Sequence, residues 1–581
     1  MNTKHRSKQA PAIAAIAAIA GAACVGNIGD PGLTGGAAAA AAAAADDGGA
    51  APGVGVVACK QGASFAPARL TLLSDDQYRN IVHDVFGVTF PSGVAITSPP
   101  STSGTYAYNE DAVVEETTLQ DYLRAADQVA ALLTSLPPCV AGAVNATCME
   151  QYLRSTLPLA WRRPVTDDEI SGLISIFNSA ATDGQDSAAT DGPDSGATAG
   201  QARQVQLTTE AMLIHPAFLY RSEIGTNAAS ATGKIQLTPY ELASAVSFAM
   251  FNSSPDAELW ATAQDGSLTQ PAVLAAQVAR LMALPRVQAN LQLYVSYYLD
   301  FEELPFTSKD PTAYPGFAAL QPTLYQSSQM FLSNVMWNGH FDDLFSPGPI
   351  YANEAMAAAY GLPAVTGTQL QAVTPTAGTY NAGVLTQPAL LAASNTNEVG
   401  DDVIHRGLWV YYNLLCAPPL PPPPADATTV AATFTGSTRQ QSIERDTTCG
   451  VSCHGRFDPF GLVTLSYDGI GRYRTADPTT TPPGGPENDS ATILAGVLSG
   501  STMPVTVSGA SDVAQLFRSG SQVSDCAADT LATYTLEHSP DVEGSCDLQT
   551  VENSFAASGS LPGLFTSILT SPAFLTRDIN N

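Results

Sequence analysis

The stretch Leu70–Val88, LTLLSDDQYRNIVHDVFGV, decides the fold class. Its apolar residues Leu73, Tyr78, Ile81, Val82, Val85 and Phe86 recur at the spacing that collects them on one side of a helix, and Ser74 stands where an N-cap is needed. The helical text starts at Leu70. The same periodicity returns between about Thr118 and Leu133, and again in MEQYLRSTLPLAWRRPVTDDEISGLISIFNSA, Met149–Ala180. That last stretch breaks at Pro164, and Thr166 is placed to cap a second helix beginning near Asp167. Further on, QVQLTTEAMLIHPAFLYRSEIG, LTPYELASAVSFAMFNSSPDAELW, LYVSYYLDF and SSQMFLSNVMWNGHFDDLF continue the pattern. The sequence therefore predicts a mainly α, multi-helix protein.

At 581 residues the chain is long enough for several cores, and its formal net charge is -29 with only 13% charged residues. No clustered excess of Lys and Arg is present, which argues against a nucleic-acid partner. The beginning, MNTKHRSKQAPAIAAIAAIAGAACVG, has basic Lys4, Arg6 and Lys8, an apolar run from Ala12 to Ala23, and small residues before Cys24. This is the layout of a secretory signal, residues 1–24, and Gly21, Ala22 and Ala23 ahead of Cys24 also fit a lipoprotein signal in which that cysteine is lipidated. Export to the periplasm or outer membrane follows as the expectation, with membrane attachment only through an anchor at Cys24.

Composition divides the remainder. Residues 25–64 read as an Ala/Gly-rich tether, 65–180 as N-terminal helical domains, and 181–203 as a low-complexity insert. The insert holds the duplication ATDGQDSA and ATDGPDSG, which lacks the twelve-residue loop and terminal Glu of tight calcium sites. Residues 204–416 form a central helical domain. APPLPPPPADAT marks a Pro-rich linker at 417–430, and 431–581 is a separate C-terminal module.

Chemistry concentrates in RDTTCGVSCHGRFDPFG, Arg445–Gly461. Cys449, Cys453 and His454 form C-x3-C-H, one residue longer than the C-x2-C-H in which two thiols add across porphyrin vinyl groups and the histidine ligates iron. Gly450 supplies a residue able to take unusual backbone angles in a bulged loop. Met503, in LSGSTMPVTVSG, is the only methionine after His454 and lies 503 minus 454, or 49, positions on. It is the candidate second axial ligand, and His538 is the weaker one. A disulfide between Cys449 and Cys453 is the competing use, while zinc lacks further ligands nearby. Setting aside Cys24, Cys449 and Cys453 leaves six of nine cysteines, an even number that suggests disulfides in an exported protein. The local pairs Cys139 with Cys148 and Cys526 with Cys546 are preferred. Hydrolytic signatures are missing: G-x-S-x-G, H-E-x-x-H, the P-loop and G-x-G-x-x-G do not occur. His83, His215, His340 and His405 lie in amphipathic segments and read as structural.

RLTLLSDDQYRNIVHDVFG, LAWRRPVTDDE, IHPAFLYRSEIG, LTPYELASAVSFAMFNSSPD, HRGLWVYYNLLCAPPLPPPP, CGVSCHGRFDPFGLVTLSYDGIGRYR and ILTSPAFLTRD together resemble a family of large exported bacterial proteins. That family is built from consecutive domains of unknown function, numbered 1587, 1595, 1592, 1588 and 1585. The resemblance implies a cytochrome c-like segment around Cys449, Cys453 and His454, although the family's usual spacing is C-x2-C-H. Arg162, Arg163 and Arg221 occupy family-like positions and read as ion-pair or capping residues. The functional expectation is one covalent haem c and single-electron exchange with a periplasmic redox partner, an electron carrier rather than a catalyst. The alternative is a non-redox binding or scaffold protein in which Cys449 and Cys453 form a disulfide.

Overall fold

The computed structural model describes residues 66–90, 93, 96, 114–133, 144–183, 193–225, 233–420, 436–449, 453–475, 489–538 and 546–579. The expected signal and lipidation at Cys24, the tether, and Cys59 and Cys139 fall outside them. The protein is mainly α, and its strands are short and pair two by two among the described residues. Among these residues no helix is long and apolar enough to cross a membrane.

The fold separates into two compact units. In their described parts, one is drawn from Gly32–Glu302, Gln329–Leu344 and Val523–Asn581, the other from Glu303–Ser328 and Phe345–Gln522.

In the first unit the opening helix is Asp75–Phe86. Ser74 accepts from the Gln77 amide while the Gln77 side chain accepts from the Ser74 amide, closing a capping box. Gly87 ends the helix in the left-handed region, φ 68°, where a side chain would be strained. Residues Arg69–Leu72, read as the start of helical text, are instead a strand. They pair antiparallel with Tyr220–Glu223, Arg69 opposite Glu223 and Leu72 opposite Tyr220. A partner 150 positions away outweighs local helical spacing. Helices Glu116–Leu132, Ala146–Ala160, Asp167–Asp183 and Pro193–Leu213 follow. They and the opening helix bury Tyr78, Ile81, Val82, Tyr122, Val129, Leu153, Leu157 and Phe218 in one apolar core. Thr166 caps the third of them, accepting from the Glu169 amide while the Glu169 carboxylate accepts from the Thr166 amide. Helix Pro239–Phe251 is buried along nearly its whole length behind a second capping box, Thr238 with Glu241.

Buried charge ties distant parts of this unit together. The Glu223 carboxylate accepts from Arg69 Nε at 3.0 Å and from Arg577 Nε at 2.8 Å. Arg221 pairs with Glu537, which also accepts from Gln77 Nε2 at 2.5 Å. Four of these residues are buried, Glu223 at 3% exposed, Arg221 at 4%, Glu537 at 4% and Arg577 at 0%. The strand Thr576–Asp578 carrying Arg577 pairs antiparallel with Lys234–Gln236. Arg162 donates to the carbonyls of Ala160, Ala217, Phe218 and Tyr220, and Arg163 pairs with Glu169, so these arginines serve as ion-pair and capping groups. His538 lies in the same neighbourhood, where burial and then the Arg69 and Arg577 charges hold its pKa down to about 3.

The second unit centres on helix Val403–Trp409, which runs on as a π-helical turn Val410–Leu414, crossed by helix His454–Leu462. Glycines permit the crossing. A Cβ on Gly407 would stand 2.2 Å from the Phe457 carbonyl oxygen, and one on Gly461 would stand 1.9 Å from that of Val403. Arg406 is buried in the seam and donates to the carbonyls of Leu391, Tyr467 and Asp468. The hairpin Ala491–Ile493 with Val505–Val507 and helix Ala510–Ser519 complete this part, with Phe517 against Phe345 and Phe460.

Cys148, Cys416, Cys526 and Cys546 are disulfide-bonded. The expected Cys526 to Cys546 bridge is not the one formed. Closeness in sequence misled, because Cys526 lies inside helix Gln522–Leu536 and the helix fixes which way its sulfur points.

Two measurements test these contacts. Gly461→Ala is expected to destabilise the protein by about 1–3 kcal/mol through overpacking, read as a lowered denaturant midpoint at unchanged slope. Asp529, hydrogen-bonded to Glu552, is pushed up to about 8 by burial first and then by the Glu552 charge. The folded state therefore keeps a proton that the unfolded chain has released above about pH 4. That contribution is complete on the acid side and lost as pH rises through about 8. Asp529→Asn should flatten this decline in a thermal-unfolding series against pH.

Candidate functional site

Helix Thr438–Cys449 ends on Cys449, whose side chain lies outside the described residues, as do residues 450–452. The chain re-enters at Cys453, the residue capping helix His454–Leu462, with φ -113° and ψ -86°. Cys453 is half-buried. The alternative of a Cys449 to Cys453 bridge turns on a Cys449 side chain that lies outside the described residues. Tyr412 lies close by. Burial raises its phenol pKa, with a smaller contribution from Cys453.

His454 opens the helix and is 7% exposed. Its ring lies 5.0 Å from that of Phe457. One helical turn on, Asp458 is fully buried, and its Oδ1 is 3.2 Å from His454 Nδ1. The spacing i to i+4 is what brings the two side chains to the same helix face. Asp458 Oδ2 accepts from Ser442 Oγ at 2.6 Å and faces the Arg445 guanidinium at 3.6 Å. Ser442 and Arg445 lie one turn apart on the preceding helix and are themselves buried. The Asp458 carboxylate thus joins the helix that ends at Cys449 to the helix that starts at His454.

Beside a carboxylate, which can only accept, Nδ1 is the nitrogen that donates, and in the neutral ring Nε2 is then the one with the lone pair. This is the donor set that an iron ligand requires, and a thiol stands immediately before it in the chain. Cys453 and His454 therefore fit the attachment of a haem. Met503 sits in the turn between strands Ala491–Ile493 and Val505–Val507, is 73% exposed, and its carbonyl accepts from Ser501 Oγ.

The text after the helix is structural. Asp468 accepts from the amides of Ile470 and Arg472 and from Arg472 Nε at 2.7 Å, closing a turn. Arg474 forks onto Asp401, at 3.2 Å and 2.5 Å. His405 pairs with Asp402 at 2.7 Å and His215 stacks on Trp161 at 4.2 Å, while His340 reaches the Ser558 carbonyl and His83 the Asp84 carboxylate. Sequence reasoning passed over Asp458, Ser442 and Arg445. The four-residue interval from His454 to Asp458 was the available signal.

Four family models match consecutive segments. They are described as proteins of unknown function: PSD3 (DUF1587) over residues 71–135, PSD5 (DUF1595) over 148–223, PSD4 (DUF1592) over 237–362 and PSCyt3 (DUF1588) over 381–477. The expected family domains are thus present in the expected order, without a match to the fifth, DUF1585. PSCyt3, whose name points to a cytochrome-like family, spans Cys449, Cys453 and His454. No curated protein and no solved structure matches the chain.

Arg474→Leu strips a nearly buried Asp401 of its ion pair and should cost about 3–5 kcal/mol in chemical denaturation, with Arg474→Lys recovering only part of it, since a lysine cannot form the fork.

Proposed function

We propose that this chain, which carries four domains of unknown function in series, is an exported protein that binds one haem c and passes single electrons. The observation that carries this reading is a buried histidine whose Nδ1 meets a fully buried carboxylate, directly preceded in the chain by Cys453.

Cys449 and Cys453 would hold the group through thioether bonds, His454 would hold its iron through Nε2, and Met503, 73% exposed in its turn, would be the residue offered as the other iron ligand. Bound haem supplies a one-electron couple between iron(III) and iron(II), exchanged with a periplasmic redox protein. The chain's own residues do the positioning. Phe457 packs against the imidazole, Ser442 and Asp458 fix its orientation, and the Gly407 and Gly461 crossing braces the helix that bears it. The disulfides accord with an oxidising compartment. The Cys24 layout supports export to the periplasm or to the outer membrane, held there by a lipid anchor.

Full-length protein exported from a host with cytochrome c maturation should retain haem on a denaturing gel and show a Soret band. Cys453→Ser should lose the covalent stain to that position, and Met503→Ala should remove the methionine-to-iron charge-transfer band while leaving haem attached. Folded, exported protein with neither stain nor Soret band overturns the reading.

A further inference from the structure

We infer that Asp458 is the positioning residue of the haem site: it fixes His454 in the Nδ1–H tautomer and, through its buried negative charge, lowers the reduction potential of the iron that His454 holds. The second half rests on the haem reading above, while the first stands on the protein alone.

The acceptor on His454 is a carboxylate rather than a neutral backbone carbonyl, at 3.2 Å and with Asp458 0% exposed. In a low-dielectric interior such a bond polarises its donor more strongly than it would in water. Electron density drawn toward the imidazole makes Nε2 a more basic ligand, which favours iron(III) over iron(II). The couple to be tuned would be one-electron, iron(III) gaining an electron from a donor protein while the His454 to Asp458 contact is kept in both states, and ligation by the Met503 sulfur would act in the opposite sense.

Ser442 and Arg445 set how much of the charge reaches the imidazole. Ser442 Oγ donates to Oδ2 at 2.6 Å, whereas the Arg445 guanidinium, at 3.6 Å, stands beyond hydrogen-bond distance. Both act on the oxygen that His454 does not use. Removing the Ser442 donor therefore leaves more charge on Oδ1 and strengthens the effect.

The test uses full-length haem-loaded protein and two variants expected to move in opposite directions. Asp458→Asn keeps an acceptor of the same size without the charge, and should raise the potential by about tenfold in the iron(II) to iron(III) ratio, ~59 mV for a one-electron couple. Ser442→Ala should lower it. Nitrogen-15 NMR of the His454 ring, recorded on protein produced without haem, should show the proton on Nδ1 in the native chain. Haem-loaded protein whose potential is unmoved in both variants, or moved in the same direction by both, overturns the tuning role. A His454 proton on Nε2 overturns the positioning role whether or not haem attaches. Absence of haem together with an Nδ1 proton removes the haem reading and leaves Asp458 as the residue that orients His454.

Discussion

A carboxylate with no access to water must find hydrogen-bond donors within the protein, and around Asp458 that requirement organises the site. Its donors come from two helices, Ser442 on one and His454 on the other, with the Arg445 guanidinium adding its charge at 3.6 Å. His454 and Asp458 share a helix, so their relative placement does not depend on the chain between Cys449 and Cys453.

The same logic recurs with the sign reversed. Arg406 and Arg162 are buried guanidiniums satisfied by carbonyl oxygens, at helix ends and turns where the backbone has acceptors to spare. Arg69, Arg221 and Arg577 instead meet Glu223 and Glu537. A chain with only 24 Lys and Arg residues against 53 Asp and Glu thus buries several of its few cations as internal fasteners, leaving its acidic groups to the surface.

What the sequence made legible was local. Ser74 and Thr166 announce helix starts because a cap needs only the next three residues, and Arg162, Arg163 and Arg221 were correctly read as pairing or capping groups. The strand Arg69–Leu72 was not legible, since its partner arrives only at Tyr220–Glu223 and its own text fits a helix. The partner of Cys526 is not its near neighbour Cys546, and no local spacing encodes which cysteine a sulfur borne on a helix will meet. Within the site, Cys449, Cys453 and His454 stand out by residue type, whereas Ser442 acquires its role only when two helices meet.

The pairing of Thr576–Asp578 with Lys234–Gln236, together with the grip of Arg577 on Glu223, has a temporal meaning. The first unit cannot close until residues 340 positions downstream of Gln236 (576 minus 236) have been synthesised. A nascent chain lacking them leaves Glu223 buried beside fewer counter-charges than it needs, so early folding is penalised. Such a chain completes its first unit only late in its synthesis.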